Sequence, residues 1–481
     1  MLKVDHPFSL VLFGASGNLA RIKIYPALYY LALKGRLPAD YAVVGFSRTR
    51  MSDGEFKSFV SDSVGADAGE VNEGVLKEFL NHLSYHAGGY DAPGDFIGLK
   101  NKLMNIEAGW PETVRLAYLS IPPSAFASTL KNICSGGISD PKKGFRCIVE
   151  KPVGQDLKSF EEIKTRLDAC FKSEEIFILD HYLGKEAVRN VYYLRYANPV
   201  IERLLKNTLI NNVQIVASES RGLDGRSGYF DAVGTLRDMF QSHLIEMASL
   251  LTMRLGDAGQ MKASRLDAVR KFYIPPASDL SQIIFQGQYA AGAIGRKDRA
   301  GYRQETGISA DSRTPTFAAM KLMTRSSRWE GVPFFLRSGK RLKAKETRIT
   351  IEFQDSPPLL GAPDQRRNRL DIILQGEAGL KLHLQTKLGG SEPKFRPLVL
   401  EDPLVCMGDC LPEHSLLLLE AVNGHRQWFL DPEEVRACWH LIDPLQKFLQ
   451  ESSTPLHFYP AGSPYPREAD EFIRHQGHEW F

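Results

Sequence analysis

The amino-acid sequence predicts two successive fold classes, an α/β domain with a doubly wound parallel sheet and then a larger α+β domain with a mainly antiparallel sheet. Three observations carry this. Residues 1–200 alternate short apolar runs with helix-period segments, the rhythm of parallel strands joined by crossover helices. Beyond about Val200 the apolar runs alternate with polar residues as half-buried strands do, and the connections lengthen. The chain of 481 residues also exceeds what one core organises, and at roughly 100–200 residues per domain two large domains suffice. The division is placed at 1–182 and 183–481.

Taken in order, Ser9–Phe13 reads as the first strand, Leu19–Leu33 as a helix and Tyr41–Phe46 as the second strand. Further strands follow at Arg115–Ser120, Phe145–Val149 and Ile176–Leu179. Between the last two, Leu157, Phe160, Ile163, Leu167 and Phe171 recur at the three-to-four spacing of a helix with one buried face. In the second half, Val213–Ser218, Arg348–Phe353, Leu370–Leu374 and Leu380–Leu384 read as strands, and the Gly/Pro/Asp-rich stretch Asp355–Arg366 as an exposed loop.

Composition excludes several classes of partner. Sixty basic against 57 acidic residues leave a net charge of +3, too even for a nucleic-acid or membrane-surface protein, so any anion site is local. No window approaches about 18 uninterrupted apolar residues, and the N-terminus has no leader pattern, so the expected location is cytoplasmic. The six cysteines form no C-x-x-C pair. They are expected to be reduced structural thiols, with no metal site among them.

Directly after the first strand, Gly14-Ala15-Ser16-Gly17-Asn18-Leu19-Ala20 opens a helix. Glycines there let the backbone approach a pyrophosphate at the helix's positive end, which is the Rossmann-type cofactor arrangement. The same letters also occur in plain tight turns; the strand–turn–helix setting favours the cofactor. At the end of the second strand, where a carboxylate would take the ribose hydroxyls of NAD, stands Ser47-Arg48-Thr49-Arg50. A guanidinium at Arg48 suits a 2′-phosphate, so NADP is the expected cofactor. Pro122, in Ser120-Ile121-Pro122-Pro123, and Lys151, in Glu150-Lys151-Pro152, follow later strands at the sheet edge where such folds bind ligands. Lys151 is thus placed toward the nicotinamide.

After Ile176–Leu179 comes Asp180-His181-Tyr182-Leu183-Gly184-Lys185-Glu186, with His181 and Lys185 one helical turn apart and able to converge on a phosphate dianion. This heptad resembles the signature of the glucose-6-phosphate dehydrogenase family. Similar segments occur in order at Gly14–Pro26, Ser47–Arg50, Glu150–Pro152, Gly225–His243 and Val332–Leu342, so the resemblance covers nearly the whole chain.

The resemblance implies a site. His243, in Arg237-Asp238-Met239-Phe240-Gln241-Ser242-His243, is the expected general base, with Asp180 bonded to its other ring nitrogen. His181, Tyr182 and Lys185 are expected on the 6-phosphate, Glu219 and Asp238 on the sugar hydroxyls, and Lys151 and Lys340 on the sugar from the charged side. Gly14, Ser16, Gly17, Asn18, Leu19, Arg48, Pro122 and Lys151 are expected on the cofactor. Without the family, His243 lies on a stripe with Leu236, Phe240, Met247 and Leu250 and reads as a core histidine. The implied substrate is a small sugar phosphate, and the implied assembly is a homodimer or homotetramer built on the second domain's sheet. The segments Gly222–Asp231 and Thr314–Ala318 also resemble the family and are expected to frame the cleft.

The chain also departs from the family. Asn18 stands where aspartate is usual, as an amide still able to cap the helix. Ser242 replaces an asparagine beside the base. Pro199–Asn207 lacks a tryptophan–asparagine–arginine run, and Glu413–Glu420 lacks a tyrosine–glutamate–arginine lead. Two other readings therefore stay open at this point: a dehydrogenase of an amino- or otherwise modified hexose 6-phosphate, and a catalytically silent NADP-binding homologue.

Overall fold

The computed structural model of the chain describes residues 2–67, 71–139, 144–223, 225, 227–276, 280–355, 367–392, 394–404, 408–451 and 455–481. It divides into two units, one of Met1–Glu186 with Gly408–Pro432, the other of Ala187–Met407 with Glu433–Phe481.

The first unit is built on six parallel strands, β1 (Phe8–Phe13), β2 (Tyr41–Ser47), β3 (Leu83–Ala87), β4 (Val114–Leu119), β5 (Gly144–Glu150) and β6 (Ile176–Leu179). Their order is β3-β2-β1-β4-β5-β6, the doubly wound arrangement whose chain reversal lies beside β1. All six residues of β1 and all seven of β2 are buried, as continuous apolar runs covered on both faces must be. β3, which the sequence reading did not include, is half-exposed and closes one edge.

The expected division at 182/183 is corrected in two ways. The first unit continues to Glu186, and Gly408–Pro432 returns to it. The reason is burial: the helix Glu413–Asn423 sinks Leu417, Leu418 and Leu419 completely. Ser415 Oγ donates to the Ala27 carbonyl at 3.1 Å, an Arg146 Nη1 donates to the Ala421 carbonyl at 2.9 Å, and Leu430 N–H to that of Ile178 at 2.9 Å. A second correction concerns cysteine. Cys134 and Cys170, on the neighbouring helices Pro123–Ser135 and Leu157–Cys170, are joined as a disulfide, whereas Cys147 and Cys438 are buried free thiols.

The second unit carries a sheet of ten strands among the described residues. Its spatial order is Phe395–Pro403, Gly379–Lys387, Arg369–Gln375, Glu346–Phe353, Ile210–Ser218, Phe334–Gly339, Phe317–Thr324, Ile284–Ala290 and His457–Pro460, with Phe272–Tyr273 beside Phe317–Thr324. Most pairs are antiparallel; Phe334–Gly339 runs parallel to Ile210–Ser218, and His457–Pro460 to Ile284–Ala290. Its core includes Phe230, Tyr289, Tyr302, Phe317, Phe335 and Tyr459. The expected loop Asp355–Arg366 lies, from residue 356, outside the described residues. No described helix is long and apolar enough to cross a membrane.

Candidate functional site

In the first unit, the glycine turn is held by its backbone. Gly14 has φ +86°, and a Cβ added there would lie 2.0 Å from the Ser120 carbonyl oxygen at the end of β4. Only glycine fits. Its N–H donates to the Phe46 carbonyl at 2.9 Å, and the Gly17 N–H returns to the Gly14 carbonyl at 2.8 Å. Ser16 Oγ lies 2.9 Å from Ser47 Oγ and 3.0 Å from Thr49 Oγ1, so the turn is tied to the end of β2. Tyr85 fastens that end from β3, its hydroxyl donating to the Thr49 carbonyl at 2.5 Å. Arg48 is exposed with its guanidinium 5.7 Å from the Tyr90 ring centre. Pro122, exposed, precedes the helix Pro123–Ser135.

The helix after this turn is not uniform: Ala20–Ile24 is a π-helical turn leading into the α-helix Tyr25–Leu33. Its first bond runs from the Arg21 N–H to the Gly17 carbonyl at 3.1 Å. Asn18 is exposed and already helical, so the amide does not take the capping role expected of it; Leu19 behind it is half-buried. This cradle, with a close-approach glycine at a helix start, fits the pyrophosphate of a dinucleotide.

On the other side of β1, Glu150 closes β5 and is followed by Lys151, half-buried, in a cis Lys151-Pro152 pair. β6 ends one residue before Asp180, which is fully buried and accepts the Tyr182 N–H at 2.9 Å. From there the chain turns tightly. Leu183, Gly184 and Lys185 N–H groups bond back three residues, to Asp180, His181 and Tyr182. That tight turn, rather than an α-helical one, sets His181 and Lys185 on one feature. Tyr182 lies between them, its ring 5.0 Å from the His181 ring and 3.8 Å from the Lys185 ammonium. Gly184 lets the turn pack against the helix Glu413–Asn423: a Cβ there would meet the Leu417 side chain at 2.6 Å and the Glu413 carbonyl oxygen at 2.8 Å.

In the second unit, two parallel strand ends bring opposite charges together. Ser218 pairs with Gly339, so the next residues, Glu219 and Lys340, are neighbours, and the Glu219 N–H donates to the Gly339 carbonyl at 2.9 Å. The buried Lys340 ammonium bonds the Glu219 carboxylate, lies 3.5 Å from Asp238 Oδ2 and sits 4.8 Å over the Phe230 ring. Two carboxylates and one ammonium at a half-open position form the mixed-charge group that a polyhydroxyl ligand requires.

Asp238 and His243 both lie on a π-helix, Leu236–Leu244, whereas the sequence stripe suggested a regular α-helix. Such wider turns are rare and cluster at functional sites. Gly234, at φ 68°, breaks the preceding helix Ser227–Thr235 and lets the π-helix start afresh. Thr235 anchors that start on the Pro315 carbonyl through both its N–H, at 3.2 Å, and its hydroxyl, at 2.8 Å. Thr314 in turn donates to the Asp231 carbonyl at 2.7 Å. The expected framing segments thus support the π-helix, although Asp224 and Arg226 lie outside the described residues. His243 is 5% exposed.

Volume alone does not locate this site. A cavity of about 660 Å³ in the second unit, lined by residues between Val269 and Ile274 and between Glu433 and Phe448, contains none of the residues above. Sequence reasoning missed two groups of the first unit. Tyr118 donates its hydroxyl to the Glu150 carboxylate, and His414 Nε2 lies 3.9 Å from the same carboxylate. The family departure at Glu413–Glu420 is the one signal in the sequence that marked the segment carrying His414.

Comparison with known proteins completes the picture. Residues 11–190 match the family model described as glucose-6-phosphate dehydrogenase, NAD binding domain, and residues 192–481 that described as glucose-6-phosphate dehydrogenase, C-terminal domain. The chain is similar to the chloroplastic glucose-6-phosphate 1-dehydrogenase of Spinacia oleracea, 34% identical with 97% of this chain and 82% of the relative covered. It is equally similar to the glucose-6-phosphate 1-dehydrogenase of Chlamydia pneumoniae, 34% identical with 98% and 96% covered. Among solved structures, a glucose-6-phosphate dehydrogenase in complex with its substrate glucose-6-phosphate superposes with a TM-score of 0.90 at 30% identity, covering all of both chains. A glucose-6-phosphate 1-dehydrogenase from Mycobacterium avium superposes at 0.84 and 27% identity, with 99% of each chain covered. With both halves of one family's model in order along the chain, and relatives more than 30% identical from end to end, this protein belongs to the glucose-6-phosphate dehydrogenase family.

Proposed function

We propose that this protein oxidises D-glucose 6-phosphate at C1 to 6-phospho-glucono-1,5-lactone with NADP, the entry step of the oxidative pentose phosphate or Entner-Doudoroff route. The observation that carries the reading is the end-to-end match to a glucose-6-phosphate dehydrogenase solved with its substrate. The chain also carries the charged groups that the reaction calls for, at Asp180, His181, Lys185, Glu219, Asp238, His243 and Lys340.

His243 acts as general base. As the C1–H bond breaks, the anomeric hydroxyl gives its proton to the imidazole and its oxygen becomes the lactone carbonyl, a task for which histidine is the side chain most often used. Asp180 accepts the other ring N–H, fixing the tautomer and stabilising the imidazolium that forms. His181, Tyr182 and Lys185 hold the 6-phosphate, supported by their placement on one tight turn. Glu219 and Asp238 accept from the sugar hydroxyls while Lys340 balances their charge, supported by the ion pairs at the paired strand ends.

Gly14, Ser16, Gly17, Asn18, Leu19, Arg48, Pro122 and Lys151 hold the cofactor, and Lys151 also reaches the sugar. When bound, the nicotinamide supplies the hydride acceptor. Arg48, with no carboxylate at the end of β2, supports preference for the 2′-phosphate. The exposed apolar side chains Leu388, Val399 and Leu400, at one edge of the second unit's sheet, support self-association as a homodimer or homotetramer.

The test is a spectrophotometric assay for reduced nicotinamide with glucose 6-phosphate, free glucose and glucosamine 6-phosphate, against NADP and NAD, in wild type and His243→Asn. The expected result is NADPH formation that requires the 6-phosphate and disappears in the variant. NADP binding without turnover of any hexose phosphate would overturn the assignment in favour of a silent homologue. Turnover of the amino sugar alone would move the substrate.

A further inference from the structure

Directly behind Lys151 and Asp180, the first unit holds a group of titratable side chains that the reaction above does not use. Glu150 ends β5 in register with Leu179, the residue before Asp180, so the two carboxylates stand at adjacent strand ends. Its carboxylate, 17% exposed, accepts the hydroxyl of Tyr118, which is fully buried on β4. From the helix Glu413–Asn423, His414 directs Nε2 toward the same carboxylate at 3.9 Å and is itself 7% exposed. Behind His414, Glu413 lies 3.8 Å from Nδ1 and is bonded to Lys23 at 3.5 Å, with Lys185 also acting on it. Besides the adjacent Lys151, the groups that the described contacts bring to Glu150 from other elements are Tyr118 from β4, Asp180 after β6 and His414 from the returning helix. None of the three from other elements is a cation at neutral pH.

We propose that Glu150 is a positioning residue of this site: its ionisation, governed by its burial and by its hydrogen bond from Tyr118, adds or removes a negative charge beside Asp180 and so tunes the pH at which the base works. The inference rests on the reading of Asp180 and His243 given under Proposed function. The physical argument is Coulombic. A carboxylate taken from water next to another carboxylate, and hydrogen-bonded by a neutral phenol, resists ionising. Burial is the largest influence and pushes Glu150 up to about 7, Tyr118 counters it, and Asp180 adds to it. Burial likewise pushes His414 down to about 4, against the pull of Glu413, so the imidazole stays neutral and gives Glu150 no counter-charge. Glu150 therefore changes charge near neutral pH. Once ionised, it adds negative potential around Asp180, favours the imidazolium and raises the apparent pKa of the base.

The experiment is the pH profile of kcat/KM with glucose 6-phosphate and NADP for wild type, Glu150→Gln, Tyr118→Phe and Glu150→Asp, with NADP affinity measured by fluorescence as a folding control. Removing the charge lowers the base's apparent pKa. In Glu150→Gln the acid limb is therefore expected to move to lower pH by about one unit while NADP affinity stays within about twofold of wild type. Loss of the phenol's hydrogen bond disfavours ionised Glu150, so Tyr118→Phe moves the inflection associated with Glu150 upward instead of abolishing it. Glu150→Asp is expected to restore the wild-type shape. A uniform loss of rate at every pH in both Glu150→Gln and Tyr118→Phe, with an unchanged profile, is what a merely structural role would give, and it overturns the proposal. Absence of activity in the wild type would fault the functional reading rather than this inference.

Discussion

The Lys340 ammonium lies 3.5 Å from the Asp238 carboxylate and bonds the Glu219 carboxylate on its other side. One cation thus separates two anions carried by different elements of the second unit, a strand end and a π-helix. Lys340→Ala leaves the carboxylates to repel each other, but both are partly open, at 24% and 35% exposure. Water screens them, so the expected stability loss is about 1–2 kcal/mol rather than the larger cost of a fully buried pair. The kinetic effect is expected to exceed the structural one, with kcat/KM for glucose 6-phosphate falling about 100-fold. Denaturant titration and steady-state kinetics on the same preparation check both. A stability loss without a kinetic one would remove Lys340 from the site.

Gly14 makes a sharper test of the cofactor cradle. An added Cβ falls 2.0 Å from a backbone oxygen that cannot swing away, on a residue at φ +86°, so Gly14→Ala must displace either the turn or the end of β4. The expected cost is about 2–3 kcal/mol, together with loss of NADP binding in a fluorescence titration. Gly35 is the control. It also has positive φ, +62°, but nothing lies within 4 Å of an added Cβ, so Gly35→Ala is expected to cost about 1 kcal/mol and leave NADP affinity intact.

The contrast between these two glycines also shows what was legible in the sequence. The turn after β1 was readable because a strand, two glycines and a helix adjoin one another within the chain. Readability declined wherever the deciding partner was distant. Ile284–Ala290, Phe317–Thr324 and Phe334–Gly339 went unread as strands because they are buried nearly throughout, which removes the alternation that marks a half-exposed strand. Lys340 therefore had no strand to place it, although it directly follows the central strand Phe334–Gly339. The π-helix bearing His243 spans only nine residues, too few to separate its period from 3.6. The leucine-rich helix Glu413–Asn423 announced burial without naming the core it joins, so the return of Gly408–Pro432 to the first unit escaped notice, and His414 with it.

The Cys134–Cys170 disulfide closes a separation of 36 residues between two helices of the first unit. Constraining an unfolded loop of that length is worth about 4 kcal/mol in the chain-entropy account. Reductant is therefore expected to lower the melting temperature of the wild type, and Cys134→Ser in oxidising buffer is expected to melt with the reduced wild type. Thiol titration under denaturing conditions before and after reduction checks the bond directly. A Cys134→Ser variant as stable as the oxidised wild type would show that the pair contributes nothing.

Glu150 and His414 make opposite demands on stability as pH changes. The folded-state value of Glu150, about 7, lies above that of an unfolded glutamate. Between about pH 4.5 and 7 the native state therefore holds the extra proton, and Glu150 makes stability fall as pH rises. The folded-state value of His414, about 4, lies below that of an unfolded histidine. Between about pH 4 and 6.5 it is the unfolded state that binds the extra proton, so His414 makes stability rise with pH. The two windows overlap and the slopes oppose each other, which leaves the wild type nearly flat from about pH 4.5 to 6.5 as far as this pair is concerned. Removing either group exposes the other. Glu150→Gln is expected to gain about 2–3 kcal/mol between pH 4 and 6.5, and His414→Leu to lose a similar amount between pH 4.5 and 7. Denaturant midpoints collected at half-unit intervals across this range decide the matter: parallel curves for wild type and both variants would mean that neither group titrates abnormally in the folded protein, whereas slopes of opposite sign would establish the pairing.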